Sequence, residues 1–434
     1  MKITFLCPHL RIAGGVRAIL VHADRLARRG HDVTLVVPAR RALTAWWRNR
    51  FPRGPEWMPS MQARVQWVPE WSAAALPEGD AVVATSWQSV EPVAAAPTRC
   101  GRKFYFIQHY ESLYHGEAAR VDATYRVPLR KIVISTWLAD VMAERFDTPA
   151  AVVVTPVDRT QFRPVPVEDD GRLRVLMLFH EYPWKGVADG LEAFARVRAR
   201  HPELTLVGFG VKSPPRKLPF AEFHENLPQE RLAWLYSRCP IYLCPSWDEG
   251  LGMPAMEAMA CGAALCTYDN GGCRDYAIDG RTALVAPRRD LDALAWGLAR
   301  LVEDPELRRR IARQGQDFVG TQFDWERATA RPGGDVLDRR QRGPPVTHRA
   351  IGPTGHHVAE RLLLDQAFRL QLLEDLRPAG ALLGHGQDLV EALPRRLGGS
   401  ALRVIESMRD LRVRGHRARL APVARSHQQS QCGG

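Results

Sequence analysis

The sequence predicts an α/β protein built from two doubly wound, Rossmann-like domains that face each other across a cleft. Three observations carry that expectation. A strand, loop, amphipathic helix and second strand fill residues 2–37, the same unit returns at 174–208, and a proline-rich, acidic stretch separates the two.

Residues 2–7 (KITFLC) read as a buried strand, followed by a loop holding Gly14 and Gly15. Val16, Ile19, Leu20, Ala23, Leu26 and Ala27 then fit the 3.6-residue period of a helix facing a core. Gly30 ends that helix, and residues 32–37 form the second strand. Further strands are expected at 81–85, 103–107 and 131–135. In the second unit, strand 174–179 leads to a loop with Lys185 and Gly186, a helix carrying Val187, Leu191, Phe194 and Ala195, and strand 203–208. Between the units, residues 156–171 hold Pro156, Pro164, Pro166 and the acidic run 168–170, a composition suited to a linker. The expected domains are therefore 1–160 and 161–330, the second followed by a tail.

That tail, 331–434, differs in kind. It holds one of the 35 aromatic residues, Phe368, and a helix expected at 324–329 runs into Arg331, Pro332, Gly333 and Gly334. Weak helices or disorder are expected there. Its richness in Arg, Gly, Pro, Ala, Leu and His is also what GC-rich codons give in a shifted reading frame.

The net charge is +12, of which the tail supplies +7 from 17 arginines against 10 acids. A basic balance so placed is a weak sign of nucleic acid, and no nucleic-acid partner is expected. No window of about 18 apolar residues occurs, and residues 1–9 do not read as a signal peptide, so a cytoplasmic location is expected. The eight cysteines form no CxxC pair and read as reduced core thiols, with no metal site expected.

The most informative stretch is 245–262, PSWDEGLGMPAMEAMACG. It follows a strand at 241–244 and opens a helix in which Pro254 suits the first turn. The free N–H groups of such a helix start favour a diphosphate. Glu249 lies in the loop and Glu257 in the first turns of the helix, two carboxylates set for different parts of one ligand. A carboxylate accepting two hydrogen bonds suits the vicinal hydroxyls of a ribose for Glu257, and sugar hydroxyls for Glu249.

With these residues in place, the sequence resembles the retaining family 4 glycosyltransferases of the GT-B fold, whose signature is a Glu-x7-Glu motif in the second domain. The resemblance spans about residues 1–330. It also rests on Gly14-Gly15-Val16-Arg17, the stretches 29–33, 106–111, 134–139 and 157–164, Lys185-Gly186, and Asp269-Asn270-Gly271-Gly272. The 106–111 stretch looks like members that build bacterial surface polysaccharides.

The resemblance implies a transferase that moves a sugar from a nucleotide diphosphate donor to a hydroxyl acceptor with retention, without metal or cofactor. It implies that Gly14 and Gly15 approach the donor diphosphate and that Lys185 neutralises phosphate charge. Gly250, Leu251, Gly252, Met253 and Pro254 would line the diphosphate and sugar pocket. Glu257 would hold the ribose, with Glu249 and His109 at the transferred sugar as the catalytic pair. The acceptor would be a glycan or a lipid-linked glycan. Three features depart from the family: His180 stands where an arginine usually precedes the phosphate lysine, Thr155-Pro156 replaces the usual Asn-Gly, and the last helix, which in the family returns to the first domain, is expected to be cut short near Ala330. A catalytically degenerate nucleotide-sugar-binding scaffold is the alternative these departures keep open, and an epimerase or phosphorylase on the same fold is a more distant one.

Residues 40–53 carry five arginines and no acid, and Leu43, Trp46, Trp47 and Phe51 share one face of a helix. Such a segment suits a peripheral contact with an anionic membrane face. The competing and slightly preferred reading is an ordinary helix that packs its tryptophans on the first sheet.

Overall fold

The computed structural model describes residues 1–323 apart from 12, 115, 169 and 216, so the tail and the helix expected at 324–329 lie outside the described residues. The first half of the chain runs β1 (Lys2–Leu6), α1 (Gly14–Arg28), β2 (Asp32–Pro38), α2 (Ala42–Arg50), β3 (Arg64–Val68), β4 (Ala81–Ala84) and α3 (Val90–Ala94). It continues through β5 (Arg102–Ile107), α4 (Ala118–Arg126), β6 (Arg130–Val133), α5 (Thr136–Phe146) and β7 (Ala150–Val152). These strands form one parallel sheet in the order β3-β2-β1-β4-β5-β6-β7.

After a connection at 153–173 come β8 (Arg174–Leu178), α6 (Val187–Arg198), β9 (Thr205–Gly210), β10 (Glu222–Glu225), α7 (Gln229–Arg238) and β11 (Ile241–Cys244). Then follow α8 (Met253–Ala260), β12 (Ala264–Tyr268), β13 (Ala283–Ala286), α9 (Leu291–Glu303) and α10 (Pro305–Gln322). The second sheet is also parallel, ordered β10-β9-β8-β11-β12-β13. Two such sheets are the expected α/β architecture.

Helices cover both faces of a parallel sheet, so its inner strands must be apolar throughout. Every residue of β4, β11 and β12 is buried. Seven cysteines are buried and unpaired among the described residues, and burial pushes the Cys7, Cys239 and Cys261 thiols up to about 12. They are core thiols, as expected. Side-chain caps set several helix starts. Ser135 accepts from the Leu138 amide at α5, Asp290 from Ala293 at α9, and Asp304 from Leu307 at α10, where Pro305 opens the first turn.

Two local expectations need correction. Gly14 and Gly15 open the first turn of α1 instead of forming a loop before it. Helix α2 does form, but it does not pack its aromatics on the sheet: Leu43, Trp46, Trp47 and Phe51 are 69%, 59%, 54% and 50% exposed. Ala45 alone of α2 is buried, while Trp47 stacks on Phe51 at 4.7 Å and Arg48 lies over Trp67 at 4.0 Å.

Candidate functional site

In a parallel sheet, ligands bind outside the carboxyl ends of the strands, where the loops into the helices converge. The segments singled out in the sequence all leave such ends. Gly14 and Gly15 follow β1, Gln108 and His109 follow β5, Lys185 follows β8, and 249–252 follow β11.

The loop after β11 is shaped by two glycines for different reasons. Gly252 has φ +88 and caps α8, a left-handed conformation in which a side chain would be strained. Gly250 is needed for space, because a Cβ there would lie 1.9 Å from the Gln108 carbonyl oxygen. The second sheet's loop thus meets the backbone after β5 of the first sheet with nothing between. Glu249 is held against the loop after β12, its N–H donating to the Asn270 carbonyl at 2.9 Å.

Each signature glutamate lies beside a cation, Glu257 buried and Glu249 half-buried. Lys185 Nζ donates to Glu249 Oε1 at 2.7 Å. Burial alone would raise the Glu249 pKa, but Lys185, a Ser246 hydrogen bond and the His109 charge outweigh it and hold the carboxyl below its ordinary range. Glu257, 2% exposed in α8, accepts from Arg17 Nη1 at 2.5 Å and from the Tyr236 hydroxyl at 3.2 Å. There burial wins over both partners, and the pKa is raised. The surroundings of Glu249 thus favour its ionised form, whereas Glu257 is held by an arginine reaching from α1 beside the first sheet.

A second bridge lies beside the first. The Tyr114 ring stacks on Trp184 with centroids 3.9 Å apart and planes 11° apart. Its hydroxyl donates to Asp248, a buried carboxylate that also accepts from Arg288 Nη2 at 2.6 Å. Nearby, the Thr136 N–H donates to Asp275 at 2.9 Å.

The structure brings Lys185, Glu249, His109, Gly250 and Gly252 together, and a small cavity at the start of α8 is lined by Leu178, Lys185, Ser246, Glu249, Gly252 and Pro254. Met253 and Pro254 form the first turn of α8 and are half-buried, whereas Leu251 packs in the core. A Cβ on Gly14 would meet nothing within 4 Å, so open space adjoins the start of α1. His180 is pushed below its ordinary pKa by burial and by Lys185, and its Nδ1 accepts from the Tyr182 N–H at 3.2 Å. It is a neutral imidazole at pH 7 and adds no charge for a phosphate.

Sequence reasoning missed Arg17, Tyr114, Asp248 and Arg288 as site residues. Arg17 and Asp248 lie within the motifs it used, Gly14-Gly15-Val16-Arg17 and 245–262, but were assigned no role there. Tyr114 and Arg288 carried no local signal.

Residues 158–318, which contain Lys185 and both glutamates, match the family described as glycosyl transferases group 1. That matched segment is similar to the group 1, family 4-type glycosyltransferases, and the two parallel sheets have the GT-B fold. The chain is 32% identical over 152 residues to a glycogen synthase of Mycobacterium tuberculosis, a match covering 33% of this chain and 37% of the relative. Over 263 residues it is 29% identical to an O-antigen biosynthesis protein, RfbC, of Myxococcus xanthus, covering 58% of this chain and 20% of that one. The chain thus spans well under half the length of these two relatives. In fold it is similar to Anabaena HepE solved in complex with UDP, with TM-score 0.61 and 16% identity over 76% of this chain and 98% of that one.

Proposed function

We propose that the chain transfers a sugar from a nucleotide diphosphate sugar to a hydroxyl of a glycan or lipid-linked acceptor, with retention at the anomeric carbon, in surface polysaccharide or glycolipid synthesis. The observation that carries this reading is the pairing of Lys185 with the half-buried, ionised Glu249 at the start of α8, opposite His109.

In this reading a diphosphate takes Lys185 and the free amides of α8, and Glu257 turns toward the ribose. The bond from the anomeric carbon to the phosphate oxygen breaks, leaving its electron pair on that oxygen. The acceptor hydroxyl attacks the same face and gives its proton to the departing phosphate. Glu249 and His109 hold the sugar between them, and Gly14 and Gly15 let the first domain approach the diphosphate. Lys185 and the helix dipole supply the charge compensation, so the step as drawn is routed through no metal. The two sheets divide the work as proposed domains 1–160 and 161–330. The exposed aromatics and arginines of 40–53 support a peripheral contact with an anionic membrane face, where a lipid-linked acceptor resides, and the enzyme works from the cytoplasm.

The neutral His180 favours one other reading, a scaffold that binds the nucleotide sugar without turnover. Incubation with UDP-, GDP- and dTDP-sugars, followed by chromatography for free nucleotide diphosphate, separates the two. The transferase releases nucleotide with at least one donor and gives an axial or equatorial product matching that donor by NMR. Binding without release identifies the scaffold.

A further inference from the structure

A second cavity, used by none of this chemistry, opens on the first sheet. Arg40, Glu70, Trp71, Ser72, Gln88 and Glu91 line a groove of about 660 Å³. Arg40 follows β2, Glu70 to Ser72 follow β3, and Gln88 and Glu91 follow β4. Strands β2 and β4 flank β1 on its two sides, so the groove straddles the point where the strand order reverses. Doubly wound sheets take ligands at that point.

Its chemistry is specific. The Trp71 indole donates from Nε1 to the Val36 carbonyl at 3.1 Å, which fixes the half-buried ring as a platform. The rim is tied as well: Arg40 adopts φ 67, a left-handed conformation uncommon outside glycine, and its N–H donates to the Pro69 carbonyl at 2.9 Å. Among the described residues, the side chains of Arg40, Glu70, Gln88 and Glu91 have no hydrogen-bond or ion-pair partner. An indole face accepts the C–H face of a pyranose, while carboxylates and an amide accept and donate to its hydroxyls. Two carboxylates against one guanidinium disfavour a phosphate or a nucleotide.

Position sets the role. From β5, whose end carries Gln108 and His109, to β2 is three strand spacings, about 14 Å at ~4.8 Å each. A sugar in the groove is therefore beyond the reacting hydroxyl. We propose that the groove is a distal glycan subsite that holds an acceptor sugar some units away from the one being extended. This rests on the transferase reading of the donor site.

The test is saturation-transfer NMR on the full chain with methyl glycosides and disaccharides of glucose, galactose, mannose, rhamnose and N-acetylglucosamine. Three variants accompany the parent: Trp71→Ala, the exposed pair Gln88→Ala with Glu91→Ala, and a control with Trp46→Ala and Trp47→Ala outside the groove. Thermal shifts with UDP, GDP and dTDP report the donor site on the same samples. At least one glycan should saturate on the parent, fall five-fold or more in both groove variants, and stay unchanged in the control, with nucleotide shifts intact throughout. The double variant protects against a Trp71→Ala chain that fails to fold. No saturation by any glycan, or equal saturation in parent and double variant, overturns the subsite. A parent that responds to no nucleotide overturns the transferase reading instead.

Discussion

The stretch 245–262 and the surface formed by 38–53 and 69–95 treat charge in opposite ways. In the first, Asp248 and Glu257 are buried and Glu249 is half-buried, and each has a cation in contact: Arg288, Arg17 and Lys185 respectively. In the second, Glu70, Glu91 and Arg40 are exposed. A buried carboxylate without a partner is costly, so the first region tolerates one geometry. Exposed groups cost little to leave unpaired, so the second region can vary its side chains without loss of stability. In the proposed reading, burial fixes the donor side, and the acceptor side is left free to specify.

The sharpest way to break this comparison is Gly250→Val. Its side chain has no room beside the Gln108 carbonyl, so the loop must withdraw from the first sheet. Transfer is expected to fall at least 100-fold, about 2.7 kcal/mol, with the melting temperature of the chain little changed. Retained transfer would mean that the approach of the two sheets at Gly250 is not needed for the reaction.

Next in size is a pH effect confined to the first sheet. Glu111 lies two residues after His109, and burial raises its pKa to about 7 despite hydrogen bonds from the Trp87 N–H and the Tyr105 hydroxyl. A raised carboxyl pKa favours the protonated folded state. The stability it contributes is full below about pH 4.5 and is lost as pH rises through about 7. Glu111→Gln, which keeps the acceptor for Trp87, should flatten that loss and stabilise the chain at pH 8 by roughly 2 kcal/mol. Parallel denaturation curves for parent and variant from pH 5 to pH 8 would show that Glu111 does not titrate there.

Within the buried region, Glu257→Gln should weaken donor binding and Glu249→Gln should mainly lower turnover. Each effect is expected at about ten-fold or more, roughly 1.4 kcal/mol. Unchanged kinetics in both variants would remove the site assignment. The smallest effect belongs to the exposed region. Replacing Trp46, Trp47, Arg48 and Arg50 by alanine should reduce co-sedimentation with anionic vesicles several-fold, in a salt-sensitive way, and leave donor binding unchanged. Equal, salt-insensitive partitioning of parent and variant would leave α2 without a membrane role.

The same contrast explains what was legible in the sequence. Strands buried on both faces, such as β1, β2, β8 and β11, announce themselves as apolar runs, and β9 was displaced by only two residues. Short or half-buried edge strands did not: β7 has three residues, none fully buried, and β10 reads Glu-Phe-His-Glu. The motif loop was legible because glycine, proline and paired glutamates at fixed spacing have few other uses together. Arg17 and Tyr114 reach their partners over 240 and 134 residues, a closeness set by the meeting of the two sheets and by no local pattern. Helix α2 was legible as amphipathic, but its exposed face depended on what the sheet already covered.

In the proposed reading, a nucleoside diphosphate binds where Lys185, Glu249 and the start of α8 meet. Calorimetric titration with UDP, GDP and dTDP tests it most directly, on the parent, Lys185→Ala, Glu257→Gln and the surface control Arg196→Ala. At least one nucleotide should bind the parent and the control alike, and bind Lys185→Ala and Glu257→Gln at least ten-fold more weakly. Binding of equal strength in all four proteins, or to none of them, would contradict it.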